Sequence, residues 1–319
     1  MLKNSARPIG RHFLHIPGPT QLPDRVLRAM DTPIIDHRGP EFAKLAKRCL
    51  DGIKTIFKTT NPVIIYTATG TGAWEGALVN TLSPGDRVLM VETGQFATLW
   101  KAMAQKLGLK PEFIPGDWRT GADPAKIEDT LRNDKALAAA KVSKLPKSFW
   151  AWDEMLTMNK VGFFPYTPAT QMLQGLAVSI DMLHEEGLDN VFARHARLAE
   201  ATRRAVRAWG LEILCRDPKF YSPTVTAVLL PEGHDADAFR SLALDMFNIS
   251  YGASFGPYAK KYFRIGHLGD VNDGWQVGAL AATEMALSLA GISHKKGGVQ
   301  AAMDYIVSAH SAGARAAAE

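Results

Sequence analysis

The chain has 319 residues, 46% of them hydrophobic and 22% charged, which is typical of a globular protein large enough for two domains. Its net charge of +5 is scattered and accompanies no nucleic-acid-binding motif, so nucleic acid is not an expected partner. Its two cysteines, Cys49 and Cys215, lack metal-ligand spacing, which predicts no metal site and a reducing compartment. No apolar run reaches the roughly 18 residues of a membrane span, and residues 1–13 lack a signal-peptide core. We therefore expect a cytoplasmic protein without membrane contact.

Residues 1–22 predict an extended arm that ends in a rigid turn. Pro17 and Pro19 flank Gly18 and exclude a helix there. The turn is either a simple entry into the fold or a backbone wall beside a ligand. A short helix to residue 30 follows, and then a helix over 41–57 with apolar residues at helical spacing. For His37, which precedes the second helix, we expect a structural role, because no nucleophile or second histidine accompanies it.

A Gly/Thr turn at residues 67–72 joins a predicted strand, the β-branched run 63–66, to a predicted helix over 73–82. Such a turn aims backbone N–H groups and the positive end of the helix dipole at one spot, and Thr69 and Thr71 add hydroxyl donors. This pattern predicts an anion site, most naturally for a phosphate. One alternative is a plain turn that binds nothing.

A second alternative is a nicotinamide dinucleotide site at the same turn. Its fingerprint fails by one position, because the glycines are Gly70, Gly72 and Gly76. Glu92 nevertheless stands about 20 residues on, where a ribose-binding acid would lie. A P-loop is excluded, because no Gly-Lys-Ser/Thr follows the turn.

Alternating strands and helices continue after the turn, which predicts an α/β domain with a parallel sheet. Strands are predicted over 87–91 and 110–115, and helices over 97–107 and 123–131. Phe96 follows the first of these strands, where it either stacks on a planar ring or packs in the core.

From Arg132 onward this alternation stops before the sheet is complete. The second half of the chain predicts a separate α/β arrangement. Its predicted helices span 170–186, 191–209, 235–247, 275–289 and 298–308, and its predicted strands span 224–230 and 262–269. Arg264 lies inside the last strand, where it either pairs with a carboxylate or faces solvent from an edge.

Several motifs taken together resemble the serine–glyoxylate and alanine–glyoxylate aminotransferases, which are pyridoxal-phosphate (PLP) enzymes of fold type I. The motifs are Pro17-Gly18-Pro19-Thr20, Thr69-Gly70-Thr71-Gly72-Ala73-Trp74-Glu75, Gly94-Gln95-Phe96, Tyr166-Thr167-Pro168, His184-Glu185-Glu186-Gly187-Leu188 and Phe263-Arg264-Ile265-Gly266-His267. The resemblance implies an α/β fold with a large domain built on a mostly parallel sheet and a smaller C-terminal α/β domain. It divides the chain into an arm (1–22), a cofactor-binding domain (23–175) and a small domain (176–319).

The resemblance implies a cofactor site and a subunit arrangement. Thr69, Gly70 and Thr71 match the cradle for the PLP phosphate, although the family often has serine at the first position. Phe96 matches the aromatic residue that stacks on the pyridine ring. Thr167 matches a residue that reaches the cofactor phosphate of the neighbouring subunit, which implies a homodimer.

The resemblance also implies a substrate site. Arg264 matches the arginine that holds the substrate carboxylate, and Gly18 matches the backbone beside it. The implied reaction moves an amino group from a small amino acid, serine or alanine, to glyoxylate or a similar 2-oxo acid.

The chain departs from the family in its middle. Family members carry roughly 80 more residues between the regions that match Asp134 and Lys135. That segment supplies central strands, an aspartate for the pyridine nitrogen and the lysine that forms the Schiff base, so no catalytic lysine is identified here. Lys135-Ala136-Leu137 is not that lysine motif, because the preceding Ser-Gln is absent. The alternatives are therefore an internally deleted, inactive remnant and, more weakly, the nicotinamide oxidoreductase.

Overall fold

The structure is a computed structural model that describes residues 10–133 and 143–316. The predicted break near 134–135 lies outside these residues. The elements in chain order are β1 (Phe13–His15), α1 (Asp24–Met30), α2 (Pro40–Ile56), α3 (Gly70–Thr81), β2 (Arg87–Val91), α4 (Gln95–Lys106), β3 (Lys110–Ile114), α5 (Pro124–Asn133), α6 (Trp152–Lys160), α7 (Thr170–Glu186), α8 (Leu188–Ala208), β4 (Glu212–Ile213), β5 (Val225–Leu229), α9 (Ala236–Phe247), β6 (Ile249–Tyr251), β7 (Tyr262–Gly266), α10 (Asp273–Leu289) and α11 (Gly298–Ala316). Among the described helices, none has the length and apolar character needed to cross a membrane.

The chain forms two compact units. The cofactor unit, as we name it, is Pro23–Leu188, and the carboxylate unit combines Met1–Leu22 with Asp189–Glu319. The predicted domain limits at 22/23 and 175/176 stay a prediction, because a compact unit is not by itself an independently folding domain.

Helix α2 shows how the cofactor unit builds its helical layer. The helix begins with Pro40 in its first turn, where a missing N–H costs nothing. Its buried stripe includes Phe42, Leu45 and Cys49, as the helical spacing predicted. The Cys49 thiol donates to the Leu173 carbonyl of α7 at 3.2 Å, which fixes the two helices side by side.

The sheet of the cofactor unit consists of the parallel pair β2 and β3 among the described residues. Met90 pairs in register with Phe113, and the ladder is closed by the Glu92 amide, which donates to the Ile114 carbonyl at 2.8 Å. Val88 and Met90 pack against α3 and α4 in one apolar cluster. The predicted parallel α/β arrangement is therefore present, with two paired strands.

The strand predicted over 63–66 is wrong. Residues 63–66 have no strand structure, although Ile64, Ile65 and Tyr66 pack against the core of the cofactor unit. β-branched residues favour an extended backbone, but a strand exists only where a neighbour completes its hydrogen-bond ladder. No described strand lies beside this segment. The Tyr66 hydroxyl instead donates to the Trp150 carbonyl at 2.9 Å.

The carboxylate unit contains an antiparallel sheet in the order β4-β5-β7 and a parallel pair of β1 with β6. Strand β1 shows that the N-terminal arm is a structural part of this unit, since Leu14 pairs in register with Ser250. The core lies between these strands and α8–α11, and its fully buried side chains include Trp209, Phe239 and Phe263. The helices and strands predicted for the second half are confirmed with shifts of up to three residues at their ends, except that α11 extends eight residues beyond its predicted end, to Ala316.

Candidate cofactor and carboxylate sites

The predicted anion cradle lies at the N-terminus of α3. Thr69 is the N-cap residue with an extended backbone, and its side chain makes no capping hydrogen bond. The amides of Gly70 and Thr71 have no acceptor among the described residues, whereas the Gly72 amide donates to the Thr69 carbonyl at 3.0 Å. Thr69, Gly70 and Thr71 are exposed. The cradle therefore offers two amides, two hydroxyls and the helix dipole to an anion.

Phe96 lies beside this cradle in the cofactor unit. Its ring is 55% exposed and meets the ring of Trp74, one turn into α3, edge to face at 6.0 Å. Trp74 in turn stacks on Trp100 of α4 at 5.4 Å. Of the two interpretations of Phe96, complete burial in the core does not hold for a residue that is half-exposed, and stacking on a planar ring stays a prediction. The contact through Trp74 places the predicted ring-stacking residue and the predicted phosphate cradle on adjoining helices.

A cavity of about 390 Å³ lies next to these rings. Its lining residues come from α3, β2 and α4 and are Trp74, Leu78, Val88, Leu89, Met90, Val91, Thr93, Phe96, Ala97 and Trp100. Neither a lysine nor a carboxylate is among the described residues that line it. The indole N–H of Trp100 is buried and has no hydrogen-bond partner among the described residues. The cavity thus has mostly apolar walls, and one of its lining residues, Trp100, carries a buried donor without a partner among the described residues.

Aromatic residues that the sequence did not reveal pack against α3 at Gly72, next to the cradle. Trp150 lies so close to Gly72 that a β-carbon there would come within 2.5 Å of the Trp150 ring. The ring of Trp150 meets that of Tyr66 at 5.0 Å, and Phe149 meets Tyr166 at 4.9 Å. Gly72 was visible in the sequence as part of the Gly/Thr turn. Nothing in the sequence shows that the Trp150 ring leaves no room for a side chain there.

Thr167 lies in the loop before α7 and is exposed. It has no hydrogen-bond partner among the described residues. Its predicted role toward a neighbouring subunit stays a prediction.

Arg264 has the environment of a carboxylate receptor in the carboxylate unit. It lies on β7, is half-buried, and donates from Nε to the Ala253 carbonyl at 2.8 Å. Its guanidinium stacks over the Phe255 ring at 4.6 Å. Burial lowers the pKa of Arg264, and the charge of Arg240 lowers it further, so the site is electropositive. No carboxylate of the described residues pairs with it, which leaves the terminal guanidinium nitrogens for a ligand.

The turn that contains Gly18 meets the Arg264 strand at Gly252. A β-carbon on Gly252 would come within 2.7 Å of Pro17 Cδ and 2.9 Å of Arg264 Nε, so only glycine fits between them. Gly252 and Arg264 also exchange two backbone hydrogen bonds, of 2.8 and 3.0 Å. Gly18 itself has a φ of +131°, in the region that favours glycine. The structure thus places Pro17, the residue before Gly18, against Gly252, which is bonded to Arg264.

Two buried histidines form hydrogen bonds between the strands near Arg264. His15 on β1 is 1% exposed, and its Nδ1 bonds the Gly266 carbonyl at 2.8 Å. His267 Nε2 bonds the Thr226 hydroxyl at 3.0 Å. Burial lowers the pKa of His15 to about 4 and that of His267 to about 3, so both imidazoles are neutral at pH 7.

Comparisons with known proteins identify the class. The sequence profile described as "Aminotransferase class-V" matches residues 12–144. The serine–glyoxylate aminotransferase of Hyphomicrobium methylovorum is 38% identical over 379 residues, which covers 92% of this chain and 94% of that protein. The L-aspartate–glyoxylate aminotransferase of Paracoccus denitrificans is 31% identical, which covers 92% and 95% respectively. The chain therefore belongs to the class-V aminotransferases, a PLP-dependent family.

A structural comparison agrees on the fold. The ureidoglycine–glyoxylate aminotransferase of Bacillus subtilis superimposes with a TM-score of 0.83 at 21% identity and covers 94% of this chain and 99% of that one. The expected PLP-dependent transferase fold is thereby confirmed at the level of architecture. Within the family, the chain groups with aminotransferases named for glyoxylate.

The alignments also show that the relatives are longer inside the matched region. The Hyphomicrobium match runs over 379 positions, whereas this chain has 319 residues, so at least 60 internal positions of the alignment have no counterpart here. An internal gap of this kind agrees with the segment that the sequence lacks around 134–135.

The described residues suit the phosphate and one ring face of PLP, but they provide neither the amine nor the acid that its chemistry needs. The cradle at Thr69–Thr71 has the donors that a phosphate needs, and Phe96 exposes a ring face for a pyridine ring. The described residues around the cavity offer no amine to bond the cofactor and no acid for its ring nitrogen. The described residues thus offer donors and a ring suited to half of the cofactor, and they place no reactive group at the cavity.

Proposed function

We propose that the protein is an aminotransferase of the serine–glyoxylate type. It would move the amino group of a small amino acid, serine or alanine, to glyoxylate or a similar 2-oxo acid. The observation that carries the proposal is Arg264, a half-buried guanidinium with a free fork for a carboxylate. The names of the relatives support the choice of glyoxylate as acceptor. Arg264 binds a carboxylate whatever the side chain, so it leaves the amino donor open between serine and alanine.

The residues of this chain would act by binding and orienting. Thr69, Gly70 and Thr71 would hold the cofactor phosphate, and Phe96 would cover one face of its ring. Arg264 would hold the substrate carboxylate, with Gly18 in the backbone beside it. PLP, when bound, supplies the electron sink that makes the amino-acid α-carbon acidic.

The proton transfer at that carbon needs a lysine that the described residues do not place at the cavity. We therefore propose that amino transfer requires the internal segment present in the relatives. The 319-residue chain alone would be the inactive form, which is the remnant alternative. The family match argues against the nicotinamide alternative.

A homodimer is part of the proposal. The exposed Thr167 supports it, because its match in the family serves the neighbouring subunit's phosphate. Sedimentation velocity of the purified protein measures this directly. A monomer at all concentrations would remove Thr167 from the proposed cofactor site.

Binding of pyridoxamine phosphate tests the cofactor site without turnover. We expect it to bind at least tenfold tighter than pyridoxamine, because only the phosphate meets the α3 cradle. Replacing both Thr69 and Thr71 with alanine should remove most of that difference. Thr81→Ala is the matched control, since its hydroxyl bonds the Ala77 carbonyl at the other end of α3. Equal affinity for both compounds, or preferential binding of NADH, would overturn the proposed cofactor.

A further inference from the structure

The segment between β6 and β7 folds back onto the side chain of Arg264. We call residues 253–260 the arginine loop. The Ala253 carbonyl accepts the bond from Arg264 Nε at 2.8 Å. Two residues further on, the Phe255 ring lies under the guanidinium, with 4.6 Å between the ring centroid and Arg264 Cζ. The loop therefore contacts the guanidinium group twice, once at its Nε edge and once at a face.

The backbone of the arginine loop is held by bonds that do not involve the Phe255 ring. The Phe255 amide donates to the hydroxyl of the buried Tyr262 at 3.1 Å. The Lys260 amide donates to the Ser254 hydroxyl oxygen at 2.6 Å. Since both donors are backbone groups and both acceptors belong to other side chains, a change of the Phe255 side chain leaves these bonds available.

The ordinary interpretation of an aromatic ring in a loop is packing in the core. Phe255 does not belong to the apolar core cluster of the carboxylate unit, in which Phe239 and Phe263 are buried. It is half-buried, and the next two residues of the loop, Gly256 and Pro257, are exposed. The contact with the guanidinium therefore explains the position of the ring better than core packing does.

The two contacts restrict different motions of Arg264. An arginine side chain has many rotamers, and a ligand that binds a disordered one must order it first. The Ala253 carbonyl fixes the direction of the Nε–H bond, and the Phe255 ring favours a guanidinium plane that lies over its face. A carboxylate binds the guanidinium edge in the plane of that group, so a ring at the face leaves the edge open.

We infer that Phe255 is a positioning residue of the carboxylate site, whose ring holds the Arg264 guanidinium in one plane before the substrate binds. The inference rests on the proposed function, because it takes Arg264 as the receptor of the substrate carboxylate. Phe255 acts through Arg264 and not on the reacting atoms. Its contribution is to lower the cost of ordering the receptor.

Substitution of the ring tests this role. Phe255→Leu keeps an apolar side chain and removes the ring, so we expect glyoxylate to bind about fivefold more weakly in a chemical-shift titration. Phe255→Tyr keeps the ring and should bind glyoxylate as the unaltered chain does. Phe220→Leu is the matched control, because that ring contacts the Lys219 ammonium at 4.8 Å. It should leave the affinity unchanged.

The Nε–H resonance of Arg264 reports the stacking itself. A ring current shifts protons over an aromatic face upfield, so this resonance should lie upfield of that of an exposed arginine. It should move downfield in Phe255→Leu and stay in place in Phe255→Tyr. Its absence from the spectrum of Arg264→Lys assigns it, and circular dichroism shows whether each variant is folded.

Two results would overturn the inference alone. One is unchanged glyoxylate affinity in a folded Phe255→Leu variant. The other is an Arg264 Nε–H resonance of the unaltered chain at the position of an exposed arginine, which needs no variant to fold. Absence of glyoxylate binding to the unaltered chain, with the resonance upfield as expected, would instead overturn the proposed receptor role of Arg264 and the role of Phe255 with it.

Discussion

At the residue scale, Arg264 gives the most direct test of substrate recognition. Its two terminal nitrogens can form a bidentate pair with a carboxylate, which lysine cannot reproduce. We expect Arg264→Lys to weaken glyoxylate binding about tenfold, as the loss of a charged hydrogen bond of about 1.5 kcal/mol implies. Chemical-shift titration of the purified chain measures this. Arg240→Lys is the matched control, because that guanidinium is held by the Tyr251 carbonyl and Asp237. Equal losses in both variants would contradict the assignment.

The buried histidines predict the acid stability of the carboxylate unit. Burial lowers the pKa of His15 to about 4 from an unfolded value of 6.5, so the unfolded chain takes up the proton first. The contribution of His15 to stability is therefore complete above pH 6.5 and falls between pH 6.5 and 4, by up to about 1.4 kcal/mol per pH unit. His267 adds a loss of the same slope, which begins at the same pH and continues toward pH 3.

Urea unfolding between pH 4 and 7 checks this loss. His15→Gln should flatten the slope by about one proton, because the imidazole that distinguishes the unfolded from the folded chain is removed. A slope that His15→Gln leaves unchanged would show that other groups determine the acid stability.

Individual residues differ in how far the sequence revealed them. Arg264 was recognisable because a lone arginine in a strand is unusual, and Gly70 because of its Gly/Thr turn. Trp74, Trp100 and Trp150 were not recognisable, since an apolar ring in a helix or loop carries no signal of what it contacts. Their importance comes from long-range packing.

At the scale of elements, the packing of α3 against Trp150 predicts the effect of one methyl group. Gly72→Ala would place its β-carbon 2.5 Å from the Trp150 ring, so we expect a loss of about 1–3 kcal/mol in the free energy of unfolding. Gly70→Ala meets no atom within 4 Å and should change the stability by less than about 0.5 kcal/mol. Urea unfolding measures both. A Gly72→Ala variant as stable as Gly70→Ala would contradict the packing of α3 described above.

Elements with strong hydrophobic periodicity were predictable, whereas the strand predicted over 63–66 does not form. Helices α2 and α9 have buried stripes of their own, so their sequences specify them locally. A strand depends on a neighbour that the local sequence does not contain. Residues 63–66 have strand composition without a described neighbour, and β2 has the composition of a central strand with one partner. Both departures agree with a sheet whose central part is absent from the described residues.

At the scale of the whole molecule, the chain combines two proposed binding sites, and its described residues place no lysine at the cavity. The cofactor unit has donors suited to a phosphate and a half-exposed aromatic ring, and the carboxylate unit has an arginine suited to an acid group. The family was predictable from the sequence because its motifs persist along the chain. The missing segment was predictable only by resemblance, since composition alone does not reveal an internal gap.

The central claim is the proposal that the described residues bind the cofactor and that amino transfer requires the internal segment of the relatives. The most direct test is a serine–glyoxylate transamination assay with PLP, on protein whose intact mass is 34.8 kDa. We predict no turnover above the rate of free PLP, together with retained binding of pyridoxamine phosphate. Enzyme-catalysed turnover by protein of that mass would contradict the account, because it would require a reactive lysine among the residues present.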